Sequence, residues 1–135
     1  MSDAGGESPV VEAVIDVRLA LHRFENDLEL LREVAQLFVA DCPRRLREMR
    51  RALACGDATT LQRVAHSIKG SVSNFAAMPA ARAALRLETL ASGGDLTAAS
   101  ELCTALEHEV ERLVSTLTAF AEGGSVPGGH AQPES

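Results

Sequence analysis

Apolar residues recur at steps of three and four along most of this chain, the spacing that lines one face of an α-helix. The longest run begins after Asn26 or Asp27, either of which is a candidate N-cap. Its phase continues through Pro43, so we expect a kink or a new first turn there rather than a chain reversal. The residues of this apolar face are Leu28, Leu31, Ala35, Phe38, Cys42, Leu46, Met49 and Leu53.

Capping and helix-breaking residues mark the limits of the next runs. Gly56 ends the long run and Asp57 caps the following helix, which is predicted over residues 58–75. Pro79 opens a helix that reaches residue 91, and Asp95 caps the last one. The apolar face of the last helix consists of Leu96, Ala99, Cys103, Leu106, Val110, Leu113, Leu117 and Phe120.

A short helical run precedes the long one. Asp16 is a candidate N-cap for a helix that ends near residue 23 and lays Val17, Leu21 and Phe24 over the other helices. The connections are short, which makes successive helices antiparallel neighbours. The pattern therefore predicts an all-α fold, an antiparallel four-helix bundle with a short extra N-terminal helix.

The two ends of the chain differ in composition from its middle. Residues 1–9 and 122–135 are small, polar and rich in Gly and Pro, so they bury too little apolar surface to offset chain entropy. We expect both to be disordered tails around a single domain over residues 10–121. His130 lies in the second tail and is assigned no role.

Charge and cysteine content narrow the classes of function. The formal charge of −6 argues against nucleic acid as a partner, yet seven basic and only two acidic residues lie between Arg44 and Lys69. That basic zone predicts one local acidic partner.

The three cysteines, Cys42, Cys55 and Cys103, lack metal-ligand spacing and are expected to be buried, reduced thiols. Without a signal-like or membrane-spanning stretch, we expect a cytoplasmic monomer with no membrane contact.

The helix predicted over residues 58–75 carries the candidate chemistry. At about 100° per residue, one face collects the apolar residues Leu61, Val64, Ala65, Ile68, Val72 and Phe75. The outer flank collects Gln62, His66, Lys69, Gly70 and Ser73. His66 is therefore predicted to be a surface histidine, with Lys69 and Gly70 one turn further along the helix.

Each of these outer residues has a chemical rationale. Neutral imidazole is a nucleophile near pH 7, and the ammonium of Lys69, the only lysine of the chain, can neutralise phosphoryl oxygens on His66. Glycine at position 70 costs about 1 kcal/mol of helix stability against alanine, so a partner that approaches His66 closely would explain it. Ser67 and Ser73 could form hydrogen bonds with the imidazole or with a phosphate. Equally, both side chains could simply be solvated.

At these residues the chain resembles a known family. The segment Ala65-His66-Ser67-Ile68-Lys69-Gly70-Ser71, followed by Asn74-Phe75, closely resembles the AHxLKGS-like signature of histidine-containing phosphotransfer (HPt) domains. Gly56-Asp57 and Leu87-Glu88 also match the family pattern, and the resemblance spans residues 27–120. Ala76 departs from the pattern, because the family often has glycine there, just after the predicted end of the helix.

The resemblance implies a function and the partners that go with it. His66 would be the phosphorylated residue, Lys69 would help to hold the phosphoryl group, and Gly70 would make room for a receiver domain. The partners would be response-regulator receiver domains and a hybrid sensor histidine kinase. The receiver would supply Mg²⁺, so the chain would be a carrier rather than an enzyme and would need no cofactor or metal of its own.

Further surface residues are candidates for partner contacts. Gln62 and Ser73 share the face of His66, and Ser67 directly follows it in the helix. Arg44, Arg47 and Arg51 share one outward face of the preceding helix, where they either steer an acidic receiver or form a solvated surface.

Three alternative functions compete with phosphotransfer. A helical interaction module with a merely solvated His66 leaves the exposed Gly70 unexplained. A histidine kinase dimerisation helix typically has an acidic residue directly after its histidine, and Ser67 stands there. A carboxylate-bridged metal bundle needs Glu-x-x-His pairs on facing helices, which the cluster Glu107-His108-Glu109-Glu111 does not provide. His108 is predicted to be solvated, and His22 is assigned no role.

Overall fold

The computed structural model describes residues 14–122, and this part of the chain contains five α-helices and no strand. The helices are α1 (Val17–Arg23), α2 (Leu28–Ala54), α3 (Ala58–Ser73), α4 (Met78–Ser92) and α5 (Ala99–Ala121). Helices α2 to α5 pack in a ring, each against two neighbours, and α1 packs on α2. The predicted all-α bundle with an extra N-terminal helix is confirmed. Apart from Glu122, the predicted tails lie outside the described residues, so the domain limits stay predictions.

Aspartate side chains cap the N-termini of the first three helices. The carboxylates of Asp16, Asp27 and Asp57 each accept a hydrogen bond from the backbone amide three residues further on, at 3.1, 3.0 and 3.0 Å. Each bond satisfies an amide that has no partner within its helix. Asp27, rather than Asn26, is therefore the cap of α2, and Asn26 adopts a left-handed conformation with φ of 62°.

One predicted helix start is wrong. Asp95 does not cap α5, because its carboxylate accepts bonds from the amide and hydroxyl of Thr97 at 3.0 and 2.6 Å and so forms a separate turn before the helix. At Pro43 the chain does not reverse, as expected, and of the two predicted alternatives the new first turn is not formed, since Pro43 lies within the continuous α2. Buried Phe38, Cys42 and Met49 keep α2 in phase on both sides of the missing amide.

The end of α3 also differs from the prediction. The helix ends at Ser73 rather than at residue 75, and Asn74 is its C-cap. Ala76 adopts a left-handed conformation with φ of 52° although it is a buried alanine. This backbone geometry explains why glycine would suit the position. Arg23 of α1 donates a hydrogen bond to the carbonyl of Ser73, and the amide of Asp16 donates to the carbonyl of Ala76 at 3.1 Å.

The core lies along the axis of the bundle and contains the apolar faces predicted for α3 and α5. Phe75 packs edge-on against Phe38 at 5.5 Å between ring centroids and stacks on Phe24 at 6.4 Å. Leu28 does not belong to the core as predicted, because it is 37% exposed in the first turn of α2. No helix within residues 14–122 is long and apolar enough to cross a membrane.

The cysteines divide into two environments. Cys42 and Cys103 are buried, whereas the prediction that Cys55 is buried is wrong, since it is exposed at the end of α2. Burial raises the pKa of the Cys42 thiol to about 11. The buried thiol therefore stays protonated at neutral pH and behaves as a small apolar side chain.

Candidate functional site

Helix α3 presents one side to the core and the opposite side to solvent. Its buried residues are Leu61, Val64, Ala65, Ile68 and Val72. On the outer side the imidazole of His66 is 67% exposed, which is the environment predicted from the helical period. A nucleophile on this side is open to a second protein.

Glu88 of the neighbouring helix α4 connects two of the predicted site residues. One carboxylate oxygen lies 2.8 Å from Nδ1 of His66, and the other lies 2.7 Å from Nζ of Lys69. The Glu88 side chain is only 18% exposed. Hydrogen bonding to Lys69 is the main cause that lowers the pKa of Glu88; partial burial opposes it and the bond with His66 adds to it. Glu88 is therefore an anion at neutral pH.

This contact fixes the proton of the imidazole. A carboxylate only accepts hydrogen bonds, so the neutral ring of His66 carries its proton on Nδ1 and leaves the lone pair on Nε2. A second group that orients the ring in this way is what a nucleophilic histidine requires. The site therefore consists of a nucleophilic Nε2, a nearby ammonium and a carboxylate that joins them.

Glu88 was not predicted as a site residue. In the sequence Leu87-Glu88 only matches a family pattern, because the contact of Glu88 is made between two helices and not along one. One signal was present in the sequence. Glu88 is the only acidic residue within α4 and directly follows the fully buried Leu87, which places it at the edge of the core.

Gly70 lies beside His66 without a packing reason for glycine. A Cβ atom built on Gly70 would meet no heavy atom within 4 Å. The residue is helical and exposed, so its backbone does not need glycine either. The missing side chain leaves the helix surface bare next to the imidazole.

The predicted polar contacts on this face fall into different environments. Ser67 is exposed and Gln62 is half-buried. The hydroxyl of Ser73 donates to the carbonyl of Lys69 at 2.7 Å, so its proton is used within α3. Ser71, which was not singled out from the sequence, accepts a hydrogen bond at 2.6 Å from Arg45 of α2.

Arginines line the α2 side of the site. Arg44, Arg47 and Arg51 are exposed as expected, but Arg44 is paired with Asp41 at 2.9 Å. Arg45, which was not singled out from the sequence, is only 23% exposed and bonds Asp41 at 2.6 Å. The face stays basic overall, because Arg47 and Arg51 form no ion pair with any residue among 14–122.

An apolar groove between α2 and α3 begins next to this network. Its apolar part includes Leu37, whose residue surface is 70% exposed, and the edges of Val34 and Phe38. Asp41, Arg45, Ser71, Asn74 and Phe75 complete the lining. Leu37 lies outside the predicted apolar face of α2 and received no role from the sequence.

Two carboxylates of the acidic cluster of α5 form ion pairs. Glu107 accepts two hydrogen bonds from Arg50 of α2, at 2.8 and 2.7 Å, and Glu109 pairs with Arg112 at 3.0 Å. Across residues 14–122, His, Cys, Asp and Glu side chains form no group of three that could hold a metal ion.

Comparison with known proteins places this geometry in a family. A sequence model of the Hpt domain matches residues 33–116. The crystal structure of histidine-containing phosphotransfer protein B (HptB) from Pseudomonas aeruginosa PAO1 is similar at 28% identity with a TM-score of 0.76, covering 88% of this chain and 100% of that one. The HPT domain of the Hpt sensor hybrid histidine kinase from Shewanella has the same fold at 17% identity with a TM-score of 0.72, covering 83% and 97%. A search of curated proteins found no significant match.

Proposed function

The chain belongs to the Hpt domain family, and on this premise we propose that it is a phosphoryl carrier of a two-component phosphorelay. His66 accepts the phosphoryl group from the aspartyl phosphate of one receiver domain and passes it to another. The observation that carries this proposal is the exposed imidazole whose Nδ1 is held 2.8 Å from Glu88. That contact leaves Nε2 as the nucleophilic atom.

The transfer moves one phosphoryl group between two atoms in line. The lone pair of Nε2 attacks phosphorus, the N–P bond forms, and the P–O bond to the receiver's aspartate breaks with its electron pair returning to the carboxylate. The ring keeps its proton on Nδ1, where it stays hydrogen-bonded to Glu88 during the transfer. The reverse step, with a second receiver as acceptor, discharges the carrier.

Lys69 and Gly70 serve the same step in different ways. The ammonium of Lys69 lies on the His66 side of α3 and neutralises charge on the transferred oxygens. The bare surface at Gly70 lets the receiver bring its aspartate into line with Nε2. The receiver supplies Mg²⁺, so this chain contributes positioning and charge.

The receiver binds the face that α2 and α3 share. The groove with Leu37 offers apolar area for docking, and the arginines beside it complement the acidic pocket of a receiver. We place the chain in the cytoplasm as a monomer, with receivers and a hybrid sensor histidine kinase as its partners. Gln62 and Ser67 lie where the rim of such an interface would fall.

Phosphorylation of the chain by a receiver tests this function. Incubated with a phosphorylated receiver domain, the wild-type chain is expected to gain a phosphate that is labile in acid and stable in alkali. His66→Gln should abolish it with unchanged helicity by circular dichroism, and His108→Gln, a change at another exposed histidine, should retain it. Labelling of the His66→Gln variant would contradict the assignment of His66 as the phosphorylated residue. A wild-type chain that binds receivers without being labelled would favour a non-phosphorylated interaction module.

A further inference from the structure

Glu88 binds the two groups that would act on the phosphoryl group. Its carboxylate oxygens lie 2.8 Å from Nδ1 of His66 and 2.7 Å from Nζ of Lys69. The other charged residues of α4, Arg82 and Arg86, are basic, so Glu88 is the only anion that this helix adds to the site. Before transfer, the charge of Lys69 is therefore already compensated within the protein.

We propose that Glu88 sets the phosphoryl-transfer equilibrium of His66 by competing with the phosphoryl group for the ammonium of Lys69. The inference rests on the proposed function and adds a role that the transfer step does not need. In this role Glu88 is a positioning residue, since it acts on the phosphoryl group through Lys69.

The competition follows from the geometry of the ring. Transfer places about two negative charges on the phosphoryl oxygens next to Nε2, and the imidazole ring together with its 2.8 Å contact at Nδ1 separates them from the Glu88 carboxylate. That separation lies within the Debye length of about 8 Å, so salt does not screen the two anions from each other. One ammonium shared between two anions stabilises each less than it would stabilise either alone.

The competition favours transfer of the phosphoryl group from His66 to a receiver. Glu88 stabilises the unphosphorylated state through its ion pair with Lys69 and raises the free energy of the phosphorylated state through repulsion. By linkage, phosphorylation weakens the pair between Lys69 and Glu88 by the same factor. A carrier that must discharge to a second receiver gains from this bias.

The equilibrium constant of transfer measures the effect directly. The chain is mixed with a receiver domain that phosphorylates it, with Mg²⁺ at pH 8, above the ordinary titration range of imidazole. The ratio of phosphorylated chain to phosphorylated receiver is then determined for each variant. Glu88→Gln is expected to shift the ratio toward phosphohistidine by about two- to fivefold, the range of a partly exposed charge pair.

Glu107→Gln is the matched control. Glu107 is also a half-buried carboxylate in an ion pair, 25% exposed against 18% for Glu88, but it pairs with Arg50 between α2 and α5. The Glu107→Gln substitution therefore removes the same charge from another side of the bundle. It is expected to leave the ratio of phosphorylated chain to phosphorylated receiver unchanged. An equal shift in both variants would show a general charge effect and overturn the proposal.

A double-mutant cycle tests whether Lys69 transmits the effect. In a Lys69→Met background the shift caused by Glu88→Gln should be clearly smaller, because no ammonium remains to compete for and only the repulsion between the two anions is left. A shift of unchanged size in that background would mean direct repulsion alone and would overturn the competition. Glu88→Asp keeps the charge but reaches less far, so a smaller shift of the same sign is expected; it provides a second test if Glu88→Gln does not fold.

Failure of this inference differs from failure of the proposed function. A wild-type chain that takes no label on His66 overturns both. A wild-type chain that is labelled, together with a Glu88→Gln variant that reaches the same ratio, overturns only the role of Glu88 and leaves the carrier function intact.

Discussion

Glycine is an unfavourable residue within α3, at position 70. It is less favourable than alanine in a helix by about 1 kcal/mol, and position 70 offers open space to a side chain. The stability of the isolated protein therefore favours another residue there. A partner that must come close to His66 provides the reason to keep glycine, and substitutions at this position should separate folding from function.

Gly70→Ala and Gly70→Gln are expected to raise the free energy of unfolding by about 0.5 to 1 kcal/mol, because both residues favour helix over glycine. Phosphotransfer from a receiver should slow slightly in the alanine variant and severely in the glutamine variant, as the longer side chain obstructs docking. Chemical denaturation and rapid-quench transfer assays measure the two effects. Wild-type transfer rates in Gly70→Gln would leave the exposed glycine without a functional explanation.

Single residues of the site differ in how far the sequence predicts them. The exposure of His66 follows from the period of α3, because its position relative to the buried face depends on that helix alone. The role of Glu88 depends on how α4 lies against α3, and no spacing within one helix encodes that contact. Arg45 was missed for the same reason, since its bonds to Ser71 and to the carbonyl of Ser67 join α2 to α3.

At the scale of elements, the turn between α3 and α4 holds the most unusual backbone. Ala76 is buried at 1% exposure with φ of 52°, a conformation that costs an L-residue about 1 to 2 kcal/mol. Its carbonyl accepts the amide of Asp16 ahead of α1, so the turn joins the N-terminal segment to the end of the helix that carries His66. The position is retained in this shape by its surroundings and not by the preference of alanine.

Ala76→Gly should therefore leave the free energy of unfolding unchanged or raise it by up to about 1 kcal/mol, because relief of the left-handed strain offsets the lost methyl group and the added chain entropy. Ala77→Gly is the control, since Ala77 is equally buried at 0% but has an ordinary φ of −87°. The free energy of unfolding of Ala77→Gly should fall by about 1 to 2 kcal/mol. Urea denaturation of both variants measures the difference, and equal losses would argue against strain at Ala76.

Helix existence was predictable, and some helix limits were not. Asp57 has an apolar run directly behind it and a bond to the amide of Thr60, so the local sequence determines the start of α3. Asp95 is likewise an aspartate in front of an apolar run. The hydroxyl of Thr97 donates to its carboxylate, however, and α5 begins only at Ala99. Two local interactions of similar strength compete there, and the sequence alone does not rank them.

At the scale of the whole molecule, charge is distributed unevenly over an acidic protein. The chain has a formal charge of −6, whereas the surface of α2 beside the site exposes Arg44, Arg47 and Arg51. Part of this positive charge is compensated, since Arg44 lies 2.9 Å from Asp41 and 3.9 Å from Glu48. A local basic surface on an acidic molecule orients an acidic partner before contact, because the rest of the molecule repels it.

Replacing Arg44, Arg47 and Arg51 together with glutamine is expected to lower the association rate with a receiver by about tenfold at low salt and to flatten its salt dependence. The transfer step at saturating receiver should change little, because these side chains lie on α2 and not against His66. Stopped-flow binding over a range of salt concentrations and single-turnover transfer separate the two effects. Arg112→Gln, which removes one exposed charge from α5, is the control and should leave both rates near wild type. If the triple variant associates as fast as wild type at low salt, these arginines are a solvated surface and the steering role is wrong.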